Sequence, residues 1–273
     1  MGVNQSKMAI GFVIYRPEKS FYERLELIDK VGAPFYVYDN SPEIVDAKVK
    51  MESLLHGRYL SSGKNDGLGV GLSDLCQSAY QENFDGLLFF DQDTGFNLKT
   101  ISFIQSFMNE NIGYLLEKYS AVTFAGAQSN TSKKGSDKLF ADVDFAINSG
   151  SLFILKNLEK LGWHNKSYFV DGVDYEFCLR SHIAGFKVGK YFNTPCFDHE
   201  SEQPDRVVTI FGKRLLVRRY STFRIQDTLH SYVRLIYASV TSFELTYAFL
   251  FVRSMSIYLF GQILSRLPGG RAS

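Results

Sequence analysis

The segment GLLFFDQD, residues 86–93, constrains this chain more than any other, because four apolar residues run without polar relief into a pair of carboxylates. Such a run suits a strand buried on both faces, which needs covering layers on either side and so an α/β architecture. AIGFVIY (9–15) and PFYVYDN (34–40) also read as strands. Between them, Ser20 to Val31 places Phe21, Leu25 and Ile28 on one helical face, completing a βαβ unit. LLHGRYLSS (54–62) contains a third short strand, Gly69 to Ala79 a helix, and AVTFAG (121–126) and INSGSLFIL (147–155) two further strands. Leu155, Leu158 and Leu161 mark a helix closed by Gly162. In open sheets of this class ligands bind at the carboxyl ends of strands. The DQD carboxylates stand at such an end.

With 273 residues, 45% of them hydrophobic, the chain has ample material for a core, and disorder or a collagen-like repeat is excluded. A formal net charge of +1 hides an asymmetry. Residues 1–206 carry 21 basic and 27 acidic side chains, whereas 207–273 carry nine and two. Two regions are therefore expected, 1–206 as the main domain and 207–273 as a basic, aromatic, amphipathic helical tail. Cys76, Cys178 and Cys196 show no CxxC spacing, which argues against a disulfide framework or zinc knuckle and for a reducing, cytoplasmic setting. The apolar stretch from Met8 to Tyr15 is too short for a signal peptide. The opening MGVNQS matches the loose myristoylation pattern, which six such residues often do by chance.

Carboxylates spaced as Asp91 and Asp93 on a turn suit a divalent cation and a diphosphate bound to it, since Mg²⁺ and Mn²⁺ prefer hard oxygen ligands. An apolar run followed by DxDT also opens haloacid dehalogenase-like phosphatases, which would make Asp91 a nucleophile. Those enzymes carry the motif near the start of the domain, whereas two strands and a helix precede it here. In FVDGVDYEFCLR (169–180), Asp171, Asp174 and Glu176 open a helix with Cys178 and Leu179 inward. Asp174 reads either as an N-cap, with Glu176 at the positive end of the helix dipole, or as a general base for a hydroxyl nucleophile. His199, between Asp198 and Glu200, reads as a structural histidine or as a nitrogen ligand to the same cation.

The joint order of FYVYDNSP, KNDGLGVGLSD, LLFFDQDTG, INSGSLFILKNLEKLGW and FVDGVDYEFCLR resembles glycosyltransferase family 2, and within it the rhamnosyltransferase-like branch of bacterial surface polysaccharide synthesis. The similarity covers roughly residues 8–225. It implies a GT-A (Rossmann-like) mixed sheet flanked by helices, a nucleotide-sugar donor, a divalent cation (Mn²⁺ or Mg²⁺) and inversion at the anomeric carbon. Asp39 resembles the donor-base contact, Asn65 and Gly67 the donor loop, Asp91 and Asp93 the DxD pair, Ser149 and Gly150 the loop bordering the sugar. Asp174 fills the base position and His199 the late metal-ligand position. Ser73 and Asp74 depart from the second Asn usual in the donor loop, and Val173 stands where many members have Glu.

The resemblance implies rhamnose from dTDP-rhamnose as first choice of donor and galactofuranose or another hexose from a UDP-sugar as second, with a growing polysaccharide on a polyprenyl diphosphate as acceptor. The tail then acquires a role. Arg218, Arg219 and Arg224 stand ready for the lipid diphosphate, and the apolar segment Leu235–Leu264 reads as one or two helices in an anionic membrane surface. Glu244 and Arg253 interrupt that segment, which disfavours a spanning helix; packing on the domain or in a homo-oligomer is the other use. The expected location is peripheral, on the inner face of the cell membrane. A non-catalytic adaptor would not need Asp174 beside the DxD pair, and the acidic body argues against a nucleic-acid surface.

Overall fold

In the computed structural model, residues 6–42, 45–126, 139–195, 197, 206–210, 213–266 and 270–271 are described, and the chain divides into units 1–200 and 201–273. The first unit opens with β1 (Met8–Ile14), α1 (Lys19–Lys30) and β2 (Phe35–Asp39), the expected βαβ unit, and Phe21, Leu25 and Ile28 of α1 are buried on the sheet. There follow α2 (Val45–Glu52), β3 (Gly57–Leu60), α3 (Leu68–Gln81), β4 (Gly86–Asp91), α4 (Leu98–Lys118) and β5 (Tyr119–Gly126). The unit closes with β6 (Phe140–Val143), β7 (Ser151–Ile154), α5 (Leu155–Leu161), α6 (Val173–Ile183) and β8 (Lys187–Thr194). The eight strands form one mixed sheet in the order β3-β2-β1-β4-β7-β5-β8-β6, flanked by helices.

β4 is central, and Leu87, Leu88, Phe89 and Phe90 are all fully buried. Each such side chain contributes about 1.5–3 kcal/mol relative to exposure, so the apolar run secures the position of the carboxylates at its end. β1, β2 and β4 are parallel, with Ile14 opposite Asp39 and Val13 opposite Asp91. Asp39 and Asp91 therefore end neighbouring strands on either side of β1, roughly 10 Å apart at strand spacing.

β7 runs antiparallel to both β4 and β5. Its amino end consequently lies beside the carboxyl ends of those two strands, and the turn entering β7 is delivered to the DQD edge. The strand expected from residue 147 begins only at Ser151, because Gly150 takes φ +75° and turns the chain. A Cβ there would lie 2.5 Å from the Phe197 ring, so side chains are excluded by space as well as conformation.

The second unit departs from an all-helical tail. β9 (Arg206–Ile210) pairs antiparallel with β10 (Lys213–Val217) and with the short β11 (Gly270–Arg271), and two helices follow β10, α7 (Thr222–Thr241) and α8 (Leu245–Leu264). Alternation in RVVTI and KRLLV is too brief to stand out beside the basic and aromatic composition of its surroundings. The apolar segment Leu235–Leu264 is split between α7 and α8 by the turn at Ser242–Glu244, so Glu244 lies outside α8. With Arg253 its one charged residue, α8 is long and apolar enough to cross a membrane by length and composition.

Candidate active site

The turn after β4 is built from three sides. Thr94 N–H donates to the Asp91 carbonyl (3.1 Å), and Asp91 N–H donates to Ser149 Oγ (3.0 Å), which is also 2.6 Å from the Thr94 hydroxyl. Tyr15 N–H donates to the Gln92 side chain (2.9 Å). From α1, the Arg24 guanidinium donates to the carbonyls of Gln92 and Thr94, its planar fork suiting two acceptors at once. Desolvation lowers the Arg24 pKa, and the nearby Asp93 charge opposes that shift. Phe96 then stacks on Phe90 with ring centroids 4.1 Å apart, closing the turn over the core. Asp91 is left partly exposed and Asp93 exposed, two hard-oxygen groups presented on a braced backbone.

The sequence reading passed over Arg24. It sits three residues after Phe21 and four before Ile28, on the buried face of α1, and a cation among apolar positions was the available signal. Arg24→Met keeps the length and removes both hydrogen bonds. A stability loss of about 2–3 kcal/mol is expected in urea denaturation, as for charge-assisted bonds whose acceptors are left behind; a loss below about 0.5 kcal/mol would show that the guanidinium does not brace the turn.

α6 supplies the opposing carboxylate. Gly172, at φ +83°, takes the N-cap position and Asp174 is the second residue of the helix, which corrects the N-cap reading. Glu176 lies in the first turn, as expected, where it is buried, paired with Arg180 (2.8 Å), and accepts from Asn165 (3.1 Å). The Asp174 carboxylate instead accepts from the Asn148 amide, in the turn that enters β7. Burial pushes the Asp174 pKa up to about 7, and the charge of Asp91 adds to the shift. Asn148, itself buried, lies inside the INSGS motif but escaped notice beside Ser149 and Gly150.

Thus Asp91, Ser149, Gly150 and Asp174 converge at one sheet edge. Ser149 and Gly150 act there as scaffold, Gly150 N–H donating to the Phe89 carbonyl (2.8 Å) and its carbonyl accepting from Phe124 (2.8 Å).

Asp39, Asn65 and Gly67 form a second cluster on the same edge. Asp39 is fully buried: Oδ1 accepts from Ser41 N–H (2.8 Å) and Oδ2 from the Tyr59 hydroxyl (2.9 Å). Its carboxylate braces the strand end, with each oxygen engaged within the chain. Asn65 is exposed, and its side-chain oxygen accepts from Gly67 N–H (3.1 Å). Gly67 adopts φ +86° at the start of α3, where a Cβ would strike the Phe169 carbonyl. Asn40 clamps the loop, accepting from Asp66 N–H (3.0 Å) and donating to the Gly67 carbonyl (3.2 Å). Asp66, absent from the sequence reading, is held below the usual carboxylate range by hydrogen bonds from Ser62, Lys64 and Tyr38. Ser73 is buried and accepts from Gln77 (2.8 Å), while Asp74 pairs with Lys166 (2.5 Å), so neither is directed to a donor in this geometry.

His199 lies outside the described residues. Among the described residues no group of three or more His, Cys, Asp and Glu side chains forms a metal cage. The donor set of Asp91 and Asp93 still fits a hard divalent cation of the kind that keeps several waters and takes one or two carboxylates together with substrate phosphates. Arg218, Arg219 and Arg224 belong to the second unit, where the guanidinium groups of Arg218 and Arg224 lie 5.7 and 5.4 Å from the Tyr220 ring centroid.

No family model matches the sequence, and neither does any curated protein. Among solved structures, the chain is similar to GalNAc-T7 crystallised with UDP, GalNAc and Mn²⁺, at 12% identity and a TM-score of 0.56, over 85% of this chain and 48% of that one. It is also similar to TarS from S. aureus, at 15% identity and a TM-score of 0.50, over 73% of this chain and 37% of that one. The chain spans less than half the length of either protein. Identity this low speaks for architecture alone, and in architecture the chain has the mixed α/β, GT-A-type fold of these glycosyltransferases.

Proposed function

We propose that the chain is an inverting glycosyltransferase that moves a sugar from a nucleoside diphosphate to a saccharide hydroxyl. The observation that carries this reading is Asp174, a carboxyl raised to about 7 by burial, held by Asn148 and close enough to Asp91 for their charges to interact. In a displacement of this kind the acceptor hydroxyl is deprotonated by the Asp174 oxygen not held by Asn148 while its own oxygen bonds to the anomeric carbon. The bond from that carbon to the diphosphate breaks, and its electron pair leaves on the diphosphate. Asp91 and Asp93 would hold a divalent cation, which, when bound, offsets the charge gained by the leaving group. Arg24 and Ser149 keep the turn carrying those carboxylates in register, and Asn148 keeps the base aimed.

The finer assignment follows the family resemblance: rhamnose from dTDP-rhamnose first, galactofuranose or another hexose from a UDP-sugar second, and a polysaccharide growing on a polyprenyl diphosphate as acceptor. Arg218, Arg219 and Arg224 are proposed to pair with the lipid diphosphate, and an anionic membrane on its cytoplasmic face is the proposed partner surface of unit 201–273. The likeness to GalNAc-T7, crystallised with UDP, GalNAc and Mn²⁺, supports a nucleotide-sugar donor in general and leaves the base open.

Thermal melts of the full chain with dTDP or UDP, each with Mn²⁺, decide the base. A nucleotide at 100 times its dissociation constant should add about 2.7 kcal/mol of stability. Stabilisation by neither, or an aspartyl-phosphate forming at Asp91 from a phosphomonoester, would overturn the transferase reading, the latter in favour of the phosphatase.

A further inference from the structure

The α7–α8 hairpin carries more exposed apolar surface than a helical pair in water needs. Its buried positions mix Thr228, Ser231, Ser239 and Gln262 with Leu235, Tyr247 and Phe251. Its exterior exposes Tyr237, Val240, Phe243, Leu245, Phe249 and Val252, with Phe243 at the turn 88% exposed. A soluble hairpin places its large apolar side chains between the helices and its hydroxyls outside. An apolar exterior over a partly polar interior fits surroundings that are themselves apolar, where small polar residues pack between helices.

The hydroxyls are provided for within the chain. Ser239 Oγ donates to the Leu235 carbonyl (2.8 Å), Thr241 Oγ1 to that of Tyr237 (2.9 Å), and Ser256 Oγ to that of Val252 (2.8 Å). Polar groups satisfied one helical turn back need no water, which a hydrocarbon medium demands. Charge sets the depth. From Leu235 to Val252 the only ionisable acid or base is the half-buried Glu244, and the arms are bounded by Arg234 on α7 and Arg253 on α8, both exposed. Each arginine lies eight or nine residues from the turn, so the pair stands about 12 Å above the tip at 1.5 Å per residue. One leaflet of hydrocarbon is about 15 Å deep.

We infer that the α7–α8 hairpin enters one leaflet of an anionic bilayer tip first, with Phe243 and its apolar neighbours in the acyl chains and Arg234 and Arg253 at the phosphates. This rests on the membrane partnership proposed above and not on the catalytic reading. The nine basic against two acidic side chains of residues 207–273 select lipid over an apolar protein partner.

Flotation of the full chain with phosphatidylcholine vesicles, with and without phosphatidylglycerol, tests it. The variant Phe243→Asp with Phe249→Asp should keep the wild-type melting temperature and lose at least about tenfold in partitioning, whereas Phe223→Asp, on the water side of the arginine level, should change it less than threefold. In a Trp163→Phe background, a tryptophan placed by Phe243→Trp should be quenched by lipids brominated on their acyl chains more strongly than one placed by Phe260→Trp. Equal quenching at both positions would mean that α8 crosses the bilayer and overturns the wedge. Wild-type binding by the double Asp variant would overturn it in favour of a charge-only anchor. A wild-type dimer that Phe243→Asp dissociates, with no vesicle binding, would place a second copy on the face. Absence of vesicle binding without such a dimer would remove the membrane partnership itself and leave the catalytic reading standing.

Discussion

Asp174→Asn is expected to lower turnover by about 10²- to 10⁴-fold, the range for loss of a positioned base, with nucleotide binding nearly unchanged. Asn keeps the volume and still offers an oxygen to the Asn148 amide, so the site should hold its shape. The direction of the stability change separates a base from a structural carboxylate. A folded-state pKa of about 7, against 3.8 for the ordinary carboxyl, means the native state holds more protons between those values, and wild-type stability falls as pH rises from 4 to 7. The Asn variant has no such cost. It should match wild type near pH 4 and exceed it at pH 8 by about 2 kcal/mol, roughly half of what a three-unit shift represents, since the side chain retains some contact with water. The acid limb of turnover should lie near pH 7 at low cation and move down as Mn²⁺ saturates, because a nearby positive charge favours the ionised carboxylate. Unchanged turnover in the folded variant would return Asp174 to a packing role.

Asp93→Ala should abolish cation-dependent nucleotide binding. Asp93 is exposed, so its removal leaves no cavity, and the melting temperature should stay within about 1 °C of wild type. Calorimetric titration with nucleoside diphosphate and Mn²⁺ should show affinity lowered at least about 100-fold, as expected when several kcal/mol of charge stabilisation are withdrawn. Asp91→Ala should do the same and also lower the Asp174 pKa, since the Asp91 charge contributes to raising it. Equal affinity with and without chelator in wild type would exclude a cation from donor binding.

Where period and burial coincide the elements were readable from local pattern, although α2 and α4 were not read. The apolar run of β4, the helical spacing of α1 and the glycine closing α5 each act within a few residues, so β1, α1, β2, α3, β4 and β5 follow from sequence to within a residue or two. The DxD pair was legible for the same reason, since a buried strand must deliver its terminal carboxylates to the sheet edge. Beyond β5 the local signal holds for α5 and weakens elsewhere. The turn at Gly150 and the strands of the second unit depend on contacts far along the chain.

What sequence alone determined was chemistry placed on elements: two carboxylates after a buried strand, an acidic helix start, a basic aromatic tail. Only tertiary structure decided which of these meet and which are consumed. The antiparallel insertion of β7 between β4 and β5 carries Asn148 and Ser149 to the end of β4 and brings Asp174 with them, although 83 residues separate Asp91 from Asp174. The same topology engages Asp39 with Ser41 and Tyr59, and buries Thr228, Ser231 and Ser239 of α7 while Phe223 and Tyr237 stay exposed. The physical reason is that periodicity records which side of an element is apolar, whereas the environment facing that side is set by strand order and helix pairing over distances no local pattern spans.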